Sequence, residues 1–241
     1  MIVKIAFISD IHGNAVALEA VLKDLKKKNI EKICVLGDIC YRGPEPKRSL
    51  ELIKSLQADV IKGNADEWIV RGVRQGEVPD GALVMMNKER EWICSNLEST
   101  DIDYLSQLPT ELCLNEHGIE IFAFHATPNS LFEVIPQNVE DSLLHEKVLS
   151  KKDATIYLYA HIHKPYIRYI NGRVIMNIGS VGLPFDGVTK ASYGVITINE
   201  NEFSTSIERV GYDIEKVLKQ YREVGYPNAD MMIQVLKNGR I

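Results

Sequence analysis

The sequence predicts a mixed α/β fold, and three observations carry that prediction. The first 65 or so residues read as three apolar strands separated by two helices, a β-α-β-α-β unit. Each of those strands closes on a polar residue of ligand type: Asp10, Asp38 and Asn64. The second half then changes character, to short strands joined by tight turns. At 241 residues and 45% hydrophobic content the chain can bury a sizeable core, and we read residues 1–241 as one domain.

The elements follow from local pattern. Ile2 to Ser9 is apolar apart from Lys4, as suits a strand covered on both faces. Asn14 is placed to cap a helix from Ala15 to about Lys28, whose lysine run complements the C-terminal dipole. Ile33–Leu36 is a second buried strand, Pro46 opens a helix to about Leu56, and Asp59–Lys62 is a third strand. Residues 65–108 read as a helical insertion flanking the site, with helices over 66–74 and 87–96 and a loop over 75–83. A hairpin follows, 110–114 and 119–124, turning at His117-Gly118. A helix is expected over 139–149, then strands over 155–159, 166–170, 174–177, 192–198 and 203–210, with turns at Asn171-Gly172 and Asn199-Glu200. Asp213 caps a helix to about Val224, and Pro227 opens a shorter one. The Met231-Met232-Ile233 segment with Val235 and Leu236 is either a dimer contact or a core-facing stripe.

Composition narrows the function classes. A formal charge of −5 gives no basic footprint, so nucleic-acid binding is not expected. Acidic chains still act on phosphates when metal ions supply the local positive charge. The four cysteines, Cys34, Cys40, Cys94 and Cys113, form no Cys-x-x-Cys pair. No apolar run approaches the ~18 residues of a membrane span, so no membrane association is expected and a reducing cytoplasm is the expected setting.

The candidate ligands are Asp10, His12, Asp38, Asn64, His125, His161 and His163, all at the ends of predicted strands. In open α/β sheets, ligands gather at the carboxyl ends of strands. A mixture of carboxylate, amide oxygen and imidazole suits Mn, Fe, Zn, Ni or Co, with Mn favoured. Seven ligands exceed the needs of one such ion and suit two sharing a bridging carboxylate, the arrangement that serves phosphoryl hydrolysis by a bridging hydroxide.

These residues, in this order, resemble the calcineurin-like metallophosphoesterase superfamily: Asp10-Ile11-His12, Gly37-Asp38, Gly63-Asn64, His125 and Ala160-His161-Ile162-His163. The resemblance implies a central two-sheet β-sandwich flanked by helices in four layers. It assigns Asp10, His12, Asp38 and His163 to one metal, and Asp38, Asn64, His125 and His161 to the other. The segment Gly37 to Pro44 further resembles that of serine/threonine protein phosphatases and bacterial diadenosine tetraphosphatases, where the matching Arg42 binds substrate phosphate. A guanidinium fork holds two phosphate oxygens well.

The chain departs from that pattern at Ala65, where the family often has a histidine that is a candidate general acid for the leaving group. Losing a positioned acid removes ~10²–10⁴-fold from a step that needs it, so poor leaving groups suffer most. Asp66 or another group is a candidate substitute, which the sequence does not itself show. The second departure, Ala160 in place of glycine, is mild. The expectation is therefore a dimetal phosphoesterase acting on a small phosphate ester or a nucleotide polyphosphate, diadenosine tetraphosphate being the most specific guess. Asp38, Asn64 and Arg42 are the catalytic residues, the last two also holding substrate. The alternatives are a protein phosphatase (tyrosine, or serine/threonine) and a non-catalytic interaction scaffold. Tyr41, Trp68 and Trp92 read as buried aromatics before base-stacking ones.

Overall fold

A computed structural model describes residues 2–241. Two five-stranded mixed sheets form its centre, in orders β10-β9-β1-β2-β3 and β4-β5-β6-β8-β7. The first contains β1 (Ile2–Ile8), β2 (Lys32–Val35), β3 (Asp59–Val60), β9 (Ala191–Asn199) and β10 (Glu202–Val210). The second contains β4 (Glu111–Glu116), β5 (Ile119–Phe124), β6 (Ile156–Tyr159), β7 (Tyr166–Ile170) and β8 (Arg173–Asn177). β1 pairs parallel with β2 and β2 with β3, as the βαβ pattern requires, while β9 returns antiparallel to β1.

Alternation along β1 explains the stacking. Ile5 and Phe7 face the second sheet and pack with Cys34, Ile121, Leu158 and Met176. Ala6 and Ile8 face the other way, into the helical layer. That layer contains α1 (Ala15–Lys27), α2 (Pro46–Lys54), α3 (Asn64–Arg71), α4 (Asp80–Ser95), α5 (Ser99–Gln107), α7 (Ile214–Glu223) and α8 (Ala229–Asn238). On the far face of the second sheet, Phe122, Phe124, Tyr157 and Tyr159 pack against α6 (Asp141–Leu144) and the π-helical turn His145–Leu149 that continues it. The expected two-sheet sandwich between helical layers is the observed architecture. No helix among the described residues is long and apolar enough to cross a membrane.

Four local expectations need correction. The loop expected over 75–83 ends early, because Asp80 places a carboxylate in the first turn of α4 and exposed Gly81 is tolerated inside it. Within the expected helical insertion α5 was not singled out: its segment is mostly polar, and it is held by Asp101 accepting from the Glu98 N–H. The last turn is Glu200-Asn201, shifted by one residue from the expected Asn199-Glu200, because Asn199 is paired to Glu202. The final helix matches α7 in length instead of being shorter, ending where Gly239 turns left-handed (φ 61°). Met232, Ile233, Val235 and Leu236 are buried, which identifies that stripe as core.

Candidate metal centre

The loops after β1, β2, β3, β5 and β6 meet above the edges of the two sheets. Asp10 and His12 follow β1, Asp38 follows β2, Asn64 opens α3, His125 follows β5, and His161 and His163 follow β6. Five of these seven residues have left-handed backbones: Asp10 (φ 51°), His12 (49°), Asp38 (55°), His161 (65°) and His163 (55°). Such conformations cost of order 1–3 kcal/mol each and persist where the surroundings impose them. Here the surroundings are backbone hydrogen bonds between loops: Asp10 N–H to Gly37 O at 3.1 Å, His12 N–H to Asp38 O at 2.9 Å and Gly13 N–H to Ile39 O at 2.8 Å. The Gly179–Leu183 loop braces the other side, Gly182 N–H donating to Asp10 O at 2.9 Å. A Cβ on Gly182 would lie 1.8 Å from Ile11 O, so only glycine permits this approach.

The ligand atoms of Asp10, His12, Asp38 and His163 all lie within 4.8 Å of one another. His163 Nε2 is 3.2 Å from Asp10 Oδ1 and 3.2 Å from His12 Nε2. A second group sits alongside: Asn64 Oδ1 is 2.8 Å from both His125 Nε2 and His161 Nδ1. Asp38 Oδ2 stands between the groups, 3.6 Å from His12 Nε2 and 3.5 Å from His125 Nε2. Two ligands bound at 2.0–2.2 Å to one ion are roughly 3–3.5 Å apart, so these spacings suit shared ions.

The hydrogen-bond roles test the fit to a cation. His12 Nδ1 meets Tyr41 O at 2.8 Å, His125 Nδ1 meets Leu36 O at 2.7 Å, and His163 Nδ1 meets Leu183 O. Each ring therefore donates its Nδ1–H to a carbonyl and, when neutral, turns a lone pair on Nε2 inward. Lone pair then faces lone pair at His12 and His163, and lone pair faces the Asn64 amide oxygen at His125. Buried Asp10 Oδ1 has no donor either. So many converging acceptors require positive charge between them, as a proton or as a metal ion.

The titration behaviour agrees. Burial pushes the Asp10 and Asp38 carboxyls up, but the surrounding histidines prevail and hold both below the usual range. Burial lowers His125, yet the Asp38 and Asp10 carboxylates outweigh it and raise the imidazole to about 9. Burial, followed by His125, lowers His161 to about 4, which keeps it an uncharged ligand.

Arg42 lies one residue from the carbonyl that orients His12, in a left-handed conformation (φ 71°). Its guanidinium turns to α4, with Nε 3.8 Å from Glu89 Oε2 and Nη2 3.7 Å from Met86 Sδ. Glu89 is fully buried, and sequence reading missed it. A signal existed: Met86, Glu89 and Ile93 are the buried residues of α4 at helical spacing, so a carboxylate stands within an apolar stripe. Asp66 is taken up by backbone contacts. Its oxygens accept from the N–H groups of Asp38 (2.7 Å), Ile39 (3.0 Å) and Gly63 (2.9 Å), tying the Asp38 loop to the Asn64 loop. Ala65 is buried in the first turn of α3, its N–H donating to Asp38 Oδ1 at 2.8 Å. Tyr41 and Trp68 are core residues, and Trp92 packs edge-on to Tyr226.

Residues 3–201 match the model of the calcineurin-like phosphoesterase superfamily domain. An uncharacterized protein of Methanocaldococcus jannaschii is 32% identical over 239 residues, covering 90% of each chain. The crystal structure of a metallophosphoesterase from Sphaerobacter thermophilus superposes with a TM-score of 0.78 at 26% identity, covering 98% of this chain and 99% of that one. A symmetrical bis(5'-nucleosyl)-tetraphosphatase of Psychromonas ingrahamii is 30% identical over 101 residues, 41% of this chain and 34% of that protein.

Proposed function

The chain belongs to the calcineurin-like phosphoesterase superfamily, a family of metal-dependent phosphoric ester hydrolases, and on that premise we propose a dimetal phosphoesterase for small phosphate esters or nucleotide polyphosphates. The observation that carries this reading is the convergence of acceptor atoms from Asp10, His12, Asp38 and His163 on one side and Asp38, Asn64, His125 and His161 on the other. Asp38 bridges the two sets. Two divalent ions, Mn favoured among Mn, Fe, Zn, Ni and Co, would supply Lewis acidity and an activated water there.

The chain's own residues do the rest. The carbonyls of Tyr41, Leu36 and Leu183 fix the ring orientations. Arg42 holds phosphate oxygens, and the Asn64 amide helps to orient them. Helices α3 to α5 form an insertion that shapes access and sets Arg42 through Glu89. With Ala65 buried and Asp66 fully engaged, no side chain at that position delivers a proton to the leaving group. Leaving groups that depart as stable anions are therefore preferred, and the partial match to a dinucleoside tetraphosphatase favours phosphate within a polyphosphate, diadenosine tetraphosphate above all.

The test is to strip the protein with chelator, reload it with Mn²⁺ or another of these ions, and assay bis-p-nitrophenyl phosphate and diadenosine tetraphosphate. Turnover should appear only with metal. Asp38→Asn should lose bound metal and turnover together, the latter by at least ~10²-fold. Failure with every divalent ion would overturn the proposal.

A further inference from the structure

Beside the metal-ligand cluster lies a cavity of about 870 Å³, whose wall includes His161, Lys164, Phe185, Asp186 and Arg240. Its volume falls in the range of small-molecule and cofactor sites, large enough for a nucleotide. Two of its residues join it to the cluster: His161 turns Nδ1 to Asn64, and Phe185 stacks on the His163 ring at 4.2 Å.

The charged side chains left unpaired on its wall are both cationic. Asp186 is taken up by an ion pair with Arg209. Lys164 and Arg240 are exposed, and neither forms an ion pair among the described residues. The position of Arg240 is built by local structure: Gly239 ends α8 left-handed, and its carbonyl accepts from Gly187 N–H at 2.8 Å. The guanidinium then lies along Gly187, where a Cβ would come within 2.9 Å of Nη2. On a chain of formal charge −5, two unpaired cations on one side of a phosphate-processing site are a local inversion of sign.

We infer that this cavity receives the leaving-group side of the substrate, and that Lys164 and Arg240 select leaving groups that themselves carry phosphate, such as nucleoside di- and triphosphates. The inference rests on the dimetal reading above and gives it a substrate class. Water adds across a P–O–P bridge. Its oxygen bonds to the attacked phosphorus, the bridging oxygen departs with the bonding pair on the released phosphate, and the protons are shared between products and solvent. A departing phosphate needs no protein acid, which is the chemistry that Ala65 leaves available.

The experiment compares the wild type with the Lys164→Ala/Arg240→Ala and Lys164→Glu/Arg240→Glu double variants, after thermal melts establish that they fold. The ratio of kcat/KM on diadenosine tetraphosphate to that on bis-p-nitrophenyl phosphate should fall about tenfold in the alanine pair, through KM, and further in the glutamate pair. Calorimetric binding of inorganic triphosphate to the chelator-treated protein should weaken about tenfold in the alanine pair, and wild-type binding should weaken as salt rises. An unchanged ratio, or triphosphate binding that ignores both substitutions, would overturn the inference. Absence of metal-dependent turnover on either ester would sink the dimetal reading instead, and the triphosphate titration then decides the cavity by itself.

Discussion

At the scale of the residue, Arg42 and Glu89 show how a surface-seeming charge is placed. The Arg42 backbone is pinned by Tyr221, whose hydroxyl donates to its carbonyl at 2.6 Å, and its side chain is drawn toward a carboxylate with no exposure to solvent. Asn228 holds the other Glu89 oxygen at 3.1 Å. Burial pushes the Glu89 carboxyl up, and Arg42 opposes that rise. Glu89→Gln should change stability by less than about 1 kcal/mol, because the ion pair at 3.8 Å that it removes does not outweigh the burial of the carboxylate. If Arg42 holds phosphate, it should also raise KM several-fold with a smaller change in kcat. A melt combined with steady-state kinetics separates the two, since a purely structural Glu89 would leave KM where it is. The spacing of α4 contains the hint of Glu89, but its partners on the β2–α2 loop and before α8 lie 47 and 139 positions away and are invisible to local pattern.

At the scale of the element, α5 is held by ionic ties that substitute for an apolar stripe. Asp101 caps it and also accepts from Lys47 at 2.6 Å and Lys54 at 2.8 Å, both on α2. Burial pushes the Asp101 carboxyl up, but the two lysines and the Glu98 N–H outweigh it and bring it from the ordinary 3.8 to about 2. A folded-state value below the unfolded one means stability present above about pH 4 and lost as pH falls toward 2. Asp101→Asn should therefore cost about 2 kcal/mol at neutral pH. In denaturant melts, the gap between variant and wild type should close between pH 4 and 2; a gap constant across that window would refute the assignment. Periodicity missed α5 because only Asp101 and Leu105 of its residues are buried.

At the scale of the whole molecule, the candidate ligands come from both sheets. Asp10, His12, Asp38 and Asn64 follow strands of the first, and His125, His161 and His163 follow strands of the second. Ions held between them would staple the sheets together at one edge. By mass action a ligand at a hundred times its Kd adds about 2.7 kcal/mol to the folded state. Chelation should then lower the melting temperature by about 5–10 °C, and added Mn²⁺ should restore it in proportion to the logarithm of its concentration. Asp38→Asn should melt indifferently to both treatments. A wild-type melt unmoved by chelator would argue against metal bridging between the sheets.

The sequence by itself determined which residues could bind metal and where along the chain they stand. An apolar strand ending in Asp, Asn or His is a local pattern, and local patterns are written in consecutive residues. The resemblance of Asp10-Ile11-His12 through His161-Ile162-His163 also carried the family and the two-sheet architecture. Tertiary structure alone decided the rest. It brought β9 back beside β1 nearly two hundred residues later, and it imposed left-handed backbones on five candidate ligands. It made Asp66 a clamp on the Asp38 loop where the sequence offered an acid, and it put Arg240 on the wall of the cavity that His161 also lines. The physical reason is common to all of these. Such contacts are made between distant segments once sheet order has closed, and their strength depends on burial and direction, which no single stretch of sequence contains.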